Sequence, residues 1–391
     1  MNRSRTAACA LALAAFAAGG SACSLTQSNE TAKGQKSSGT INVDSSSGTC
    51  DLTAKKAPSG NVVFKVKNTG DQVTEFYLYA SDGLRIVGEI ENIGPGLTRD
   101  LVVRAQPGKY VTACKPGMKG QGIRSAFQVT DSGTDTSIKG LSQADIAAAT
   151  SQYAAYVKDQ AQELVDATTQ FVHAYESGDA AKARTLFPVA RGHYERIEPV
   201  AESFGDLDPE LDLREADLEK GQEWTGWHRV EKDLWPPAKG YTALDAAGRK
   251  KYGENLLANT AELHKRVQTL KFSVDQIGNG SKGLLDEVAA SKITGEEDTW
   301  SHTDLWDFQA NVDGARVGFE GLKPILEVKN PALSAQIQAA FDKLQPLLDK
   351  YKTTDGFVFY DKVTAAERKE LSDAVNALAE PLSKMTGAIT L

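Results

Sequence analysis

The densest chemistry in the chain lies in Thr225-Gly-Trp-His228-Arg-Val-Glu231-Lys-Asp-Leu-Trp235. On a helix His228 and Glu231, three residues apart, share one face. An imidazole and a carboxylate placed this way can hold one metal ion, as iron-binding helical bundles do with a Glu/His pair at this spacing. The plain alternative is a satisfied surface pair. Neighbouring carboxylates favour the metal. Tyr194-Glu195-Arg-Ile-Glu198 sets two more carboxylates three apart on a preceding helix. Glu296-Glu-Asp298 and Asp304-Leu-Trp-Asp307 place others where a later helix begins. One imidazole among several hard oxygens suits iron, calcium or manganese better than copper(I), and zinc remains compatible. All five tryptophans (Trp224, Trp227, Trp235, Trp300 and Trp306) flank these segments and are read as core packing. His302, near the acidic stretch, is the second-histidine candidate. His173 and His264 lie in long helical segments without a comparable carboxylate partner, and His193 is expected on the surface.

Composition narrows the chemistry further. The 391 residues include 52 Asp and Glu against 44 Lys and Arg, a net charge of −8, with only five His and four Cys. Metal binding must therefore lean on carboxylates. The acidic balance argues against a nucleic-acid partner. No long apolar run follows the N-terminal segment, so a multi-span membrane protein is excluded.

The elements that must position these residues fall into two blocks. Residues 40–130 carry +3 and residues 131–391 carry −14. The first block alternates β-branched and polar residues at Asn61–Asn68, Thr74–Tyr79, Leu97–Val103, Lys109–Cys114 and Phe127–Val129. Gly and Pro punctuate them, which argues a small β-sandwich. Residues 131–140 read as a linker. From residue 141 to 391 the period becomes helical, with Ser142 and Asp145 forming the start signal of a long first helix. Helical stretches follow from Asp179, then Trp224–Trp235, Leu244–Leu270, Lys282–Lys292, Ser301–Val328, Pro331–Tyr351 and Thr364–Met385. Their short connections predict antiparallel neighbours in a bundle. The run Ile277-Gly-Asn-Gly-Ser-Lys-Gly283 reads as a loop, with no parallel-sheet context for phosphate binding.

Residues 1–23 read as an export signal: Arg3 and Arg5, an apolar Ala7–Ala18, then Gly19-Gly20-Ser21-Ala22-Cys23. The small residues before Cys23 resemble a bacterial lipobox, with Gly20 where Leu usually stands. This implies a lipid anchor at Cys23, the alternative being simple cleavage and secretion. Residues 24–39 are a polar, disordered tether. Cys9 leaves with the signal, so Cys50 and Cys114 remain as an even pair in an oxidising compartment, either a disulfide or a metal thiolate pair.

Gly226-x-His228-x-x-Glu231 resembles the GxHxxE signature of the imelysin-like family, whose members include the EfeO iron-uptake proteins. Tyr194-Glu195-x-x-Glu198-Pro199, the Asp206-Leu-Asp208 turn and Thr303–Gly314 resemble other helices of that family, in the same order. The resemblance implies an all-helical, bundle-like domain that binds iron, Fe2+ or Fe3+, near this motif. His228 and Glu231 carry over most directly, then Glu198 and Glu195, then Asp304 and Asp307.

Residues 40–130 resemble a cupredoxin sandwich through Asn68–Phe76 and Cys114-Lys-Pro-Gly-Met118. They contain no histidine: Thr74 stands where a copper ligand would be, and Met118 stands near the other position. A blue-copper centre, which needs two imidazoles and a thiolate, is therefore not expected. The family resemblance implies instead an altered site for copper or a second metal, with Cys50, Glu75 and Cys114 as ligands and Glu89 and Glu91 as helpers.

The whole pattern implies an extracytoplasmic iron-binding lipoprotein that is not an enzyme. Its family partners would be an EfeU-like iron permease and an EfeB-like haem peroxidase that oxidises Fe(II) to Fe(III). The alternative is a metallopeptidase, because the imelysin-like family is also classed with peptidases. Against it, the chain has no HExxH motif and the signature offers one imidazole. A purely structural or adhesive lipoprotein is the third reading.

Overall fold

A computed structural model describes residues 40–83, 86–118, 120–133, 142–290 and 292–390. The signal segment, the lipid-anchor position Cys23, the tether and most of the 131–140 linker lie outside the described residues.

The described residues of the first block form nine strands: β1 (Thr40–Ser45), β2 (Cys50–Leu52), β3 (Lys56–Pro58), β4 (Gly60–Asn68), β5 (Thr74–Ala80), β6 (Ile86–Ile93), β7 (Thr98–Ala105), β8 (Gly108–Cys114) and β9 (Ile123–Thr130). They make two sheets, ordered β2-β1-β4-β7 and β3-β9-β8-β5-β6. Most pairs are antiparallel, while β1 lies parallel to β4 and β3 to β9. Alternation sends Phe64, Phe76 and Phe127 into the space between the sheets, where their rings meet at 5.2–5.3 Å. Four strands, β1, β2, β3 and β6, were not read from the sequence. Three of them have six residues or fewer, too short for a clear period. A disulfide joins Cys50 on β2 to Cys114 on β8, across the two sheets.

The second block is helical: α1 (Gln143–Glu176), α2 (Ala180–Glu195), α3 (Glu198–Glu202), α4 (Leu207–Asp212), α5 (Gly226–Leu234), α6 (Ala246–Val267), α7 (Val274–Ala290), α8 (Asp304–Lys329), α9 (Pro331–Asp349), α10 (Ala365–Leu382) and α11 (Met385–Thr390). The chain is thus a β-block followed by a helical block, as the two textures predict, with one short hairpin of Lys352–Thr353 and Gly356–Phe357 between α9 and α10. Ser142 caps α1 in a capping box with Asp145. Asn330 alone separates α8 from α9, accepting from Leu333 N–H, which forces the chain to reverse. None of the described helices is long and apolar enough to cross a membrane.

The Gly-rich run 277–283 is not a loop: it lies inside α7. The glycines serve packing. A Cβ on Gly278 would meet Thr386 Oγ1 at 2.3 Å, whereas one on Gly280 or Gly283 would make only ordinary contact with Pro199, at 3.6 or 4.0 Å. Gly318 on α8 completes the pattern, since a Cβ there would lie 1.9 Å from Ser281 Oγ. Close helix contact explains what composition alone suggested was a turn.

The two blocks share a buried seam. Tyr77 and Tyr79 of β5 stack at 5.3 Å on the outer face of their sheet, and Ala155 of α1 packs against them. Lys115, 2% exposed, reaches across to Asp159 and, at 3.2 Å, Glu163 of α1. Tyr79 donates to Asp159 at 3.3 Å.

Candidate metal centre

Local structure explains why the signature begins with glycine. Gly226 has φ +80°, a left-handed conformation that side chains resist. A Cβ there would also lie 2.2 Å from the Leu211 carbonyl oxygen. The end of α4 therefore abuts the start of α5. Thr225 Oγ1 donates to Glu210 O at 2.9 Å, and Trp224 Nε1 to Leu213 O at 2.6 Å, stitching the two segments together. The seam brings Asp212 beside His228.

On α5, Trp227 turns into the core against Phe171 and Phe187. His228 and Glu231 face the other way and are 2% and 0% exposed. His228 Nδ1 lies 2.9 Å from Glu231 Oε2. The second Glu231 oxygen accepts the backbone N–H groups of Trp300 and Ser301 at 2.9 and 2.8 Å. His228 Nε2 makes no well-aligned hydrogen bond; it faces Asp212 Oδ1 at 3.5 Å and Glu297 Oε1 at 3.4 Å. Asp298 Oδ1, 4.0 Å from Nδ1, is buried and likewise without a hydrogen bond. Two sets of donors converge within 4.8 Å: His228 with Glu231 and Asp298, and His228 with Asp212 and Glu297. A third set, Glu195 with Glu198 and Asp212, lies alongside.

Glu195 and Glu198 are brought to the cluster, but not from one continuous helix. Glu195 ends α2 and Glu198 opens α3, with Pro199 in the first turn of α3. Lys292, fully buried, bridges them at 2.9 and 3.0 Å. Asn311 of α8 donates to both, at 3.0 and 3.3 Å. Asp307 is buried beside the cluster and accepts from Arg191 Nε at 2.8 Å. Asp304 accepts from Asp298 N–H at 3.3 Å. Neither Asp304 nor Asp307 joins a converging set among the described residues.

Eight carboxylates thus crowd one interior: Glu195, Glu198, Asp212, Glu231, Glu297, Asp298, Asp304 and Asp307. Arg191, Lys292 and His228 are the buried basic groups set among them. Buried charge is expensive unless it is paired, protonated or bound to a cation. The titration follows from this. Burial pushes Asp212 up to about 6 and Asp304 to about 7. Burial and neighbouring carboxylates hold Asp298 and Asp307 well above the carboxylate range. Burial also lifts Glu198 against the pull of Lys292. Glu297 goes the other way: burial raises it, but the nearby Lys292, His228 and Arg191 bring it well below. His228 is pulled down by burial and Arg191, yet its carboxylate partners raise it to about 10. A cluster that retains protons this strongly is poised to exchange them for a metal cation.

Sequence spacing did not single out Asp212, Arg191 or Lys292, and it grouped Glu297 and Asp298 only as part of an acidic stretch. Nothing in the local pattern distinguishes Asp212 from Asp208 or Glu210. Arg191, four residues before Glu195, was the one helical-face signal available. His302 is exposed, with φ +59°, and stands outside the converging sets. His193, expected on the surface, is 7% exposed and bonds Gln160 at 3.1 Å.

The β-block trio is not brought together. Cys50 and Cys114 are bonded to each other, so neither offers a thiolate. Cys114 pairs with Phe76 and faces the sandwich core. Glu75 points to the opposite face, where Tyr77 donates to its Oε2 at 3.0 Å. Glu89 lies on the neighbouring strand, opposite Tyr77, and the side chain of Glu91 is outside the described residues.

Residues 149–385 match the imelysin family and residues 9–123 match the cupredoxin-like domain. Iron uptake system component EfeO of Escherichia coli (strain K12) is 38% identical over 347 residues, covering 88% of this chain and 89% of the relative. The EfeO component of Shigella flexneri matches to the same extent. A Parabacteroides distasonis crystal structure, provisionally named an iron-regulated protein A precursor, superposes with a TM-score of 0.51 at 15% identity. It covers 64% of this chain and 97% of that one, a likeness of fold.

Proposed function

The chain belongs to the imelysin family, among the EfeO iron-uptake components that carry a cupredoxin-like domain ahead of the imelysin domain, and from that premise we propose that it captures iron outside the cytoplasm and passes it to a membrane permease. The observation that carries this reading is the convergence of His228 with Glu231 and Asp298, and with Asp212 and Glu297, in a buried interior where carboxyl groups outnumber basic ones. Hard oxygens with one imidazole suit Fe2+ or Fe3+. Glu195 and Glu198 extend the set, and Asp304 and Asp307 are buried beside it.

The depth of the cluster favours a bare ion as ligand over a polypeptide, since His228 is 2% exposed. We therefore place cargo binding ahead of peptide hydrolysis. The same reading assigns an EfeU-like permease as acceptor, an EfeB-like haem peroxidase as redox partner, and membrane attachment through lipid at Cys23.

Calorimetric titration with Fe2+ under anaerobic conditions tests the proposal. The parent is expected to bind in the micromolar range or tighter, and the His228→Ala, Glu231→Ala double variant to lose binding while remaining folded. Equal binding by the two would remove the site assignment.

A further inference from the structure

Two cations sit inside the carboxylate cluster, both 0% exposed: Arg191 and Lys292. Lys292 serves Glu195 and Glu198, away from His228. Arg191 reaches further. Its guanidinium pairs with Asp212 Oδ1, with Glu297 Oε1 at 2.6 Å, with Glu195 Oε1 at 2.6 Å and with Asp307 Oδ2 at 2.8 Å. Two of these oxygens, Asp212 Oδ1 and Glu297 Oε1, are the ones that face His228 Nε2 at 3.5 and 3.4 Å. A metal ion held by Nε2 would need the same lone pairs that the guanidinium uses. On the Nδ1 side the overlap is slight: Asp298 Oδ1 lies 3.7 Å from Arg191 Nε, and Glu231 is anchored by backbone N–H groups.

Resting on the iron-binding reading above, we infer that Arg191 is an internal competitor for the cargo. It holds Asp212 and Glu297 together in the iron-free protein and reclaims them as iron departs. This lowers affinity to a level compatible with release, and it keeps the ligands assembled between cycles. A guanidinium suits the task because it stays charged and its fork engages several carboxylates at once. An ion entering from the Glu231–Asp298 side would meet little competition at first. Full coordination would require Arg191 to yield its two shared oxygens.

The test compares full-length parent, Arg191→Lys, and Arg191→Met combined with Asp307→Asn. The double change removes the guanidinium together with its Asp307 partner, so no buried acceptor is stranded there, while Arg191→Lys keeps the positive charge and separates freed oxygens from added negative field. Fe2+ affinity is measured anaerobically by competition with a chromophoric chelator, and release by stopped-flow capture with the same chelator. The double variant is expected to bind at least about tenfold more tightly and to release more slowly, because a cation competing at contact distance is gone. Arg191→Lys, which keeps the charge but engages fewer carboxylates, is expected to fall between. If the parent binds and the double variant binds equally or more weakly, Arg191 is no competitor. If neither binds Fe2+, the iron-binding reading falls and this one with it. A measurement on the parent covers the case in which the double variant does not fold. Zinc, as a diamagnetic probe, should speed hydrogen exchange at the Arg191 guanidinium as its bonds to Asp212 and Glu297 are given up. Unchanged exchange at full zinc loading would overturn the inference.

Discussion

Glu231 stands one helical turn after His228 and divides its two oxygens between two tasks. One lies 2.9 Å from the imidazole, and the other is fixed by the N–H groups of Trp300 and Ser301 on the segment entering α8. The carboxylate therefore joins α5 to the segment that also supplies Glu297 and Asp298. A ligand oriented this way needs little reorganisation on meeting a metal.

Replacing Glu231 with Gln should separate charge from shape. The amide oxygen can still accept from Trp300 and Ser301, so the fold should persist, while the anionic donor is gone. Iron affinity is expected to fall by at least about 10–100-fold, read by calorimetry, with the melting temperature close to the parent's. Retained affinity would place the metal elsewhere.

The iron-free protein should lose stability as pH rises from about 5 to 8. Burial raises Asp212 to about 6 and Asp304 to about 7, so the native state binds protons that the unfolded chain has already released. Their contribution is fully present below the unfolded carboxylate range and disappears as pH climbs through these folded values. His228, raised to about 10 against the pull of burial, acts with the same sign at higher pH. Melting temperatures across this range should therefore decline, and saturating iron should flatten the decline by mass action. A rise in stability with pH in the iron-free protein would contradict the buried-carboxylate account.

Gly226→Ala should damage the site from a distance. The new Cβ would collide with the Leu211 carbonyl in a backbone conformation with φ +80°. Strain of this kind costs about 1–3 kcal/mol. The seam between α4 and α5 should open and Asp212 should draw away from His228. Both chemical-denaturation midpoint and iron affinity are expected to drop, and loss of stability alone would show that the seam does not position the ligand.

Reducing the Cys50–Cys114 disulfide, or replacing both residues with Ala, should weaken the β-block and leave the metal centre untouched. The bond closes a separation of 64 residues, and loss of such a link costs about 2–5 kcal/mol. Melting under reducing conditions should show the early loss. Iron stoichiometry should be unchanged, and so should that of Glu75→Gln, whose carboxylate lies on the opposite face from the cysteines. A fall in stoichiometry in either case would restore a metal role to the β-block.

Lys115→Met should loosen the seam between the blocks. It would leave Asp159 and Glu163 buried without their cation, a change worth about 3–5 kcal/mol. Hydrogen exchange is expected to accelerate in α1 around Asp159 and in β8, and unaltered protection would show that apolar packing at Tyr77 and Tyr79 holds the seam by itself.

Much of this protein is local, and the sequence determined that part. Strand alternation, helical period and the Ser142 and Asn330 caps each depend on residues within a turn or two, so both blocks and most helices could be read directly. The His228–Glu231 pair is local too, because three residues of helix suffice to align it. The metal cluster is not local. Asp212 reaches His228 because a glycine lets two backbones touch, Lys292 joins Glu195 to Glu198 from a hundred residues away in the chain, and Arg191 gathers carboxylates from four elements. The Gly-rich run shows the same limit, since glycines that mark a turn by composition mark a tight helix contact once α8 and α11 are in place. The faces of β5 decided the separation of Glu75 from Cys114. Sequence spacing supplies ligands in pairs, and tertiary packing decided which pairs share one buried, over-charged interior where a cation is needed.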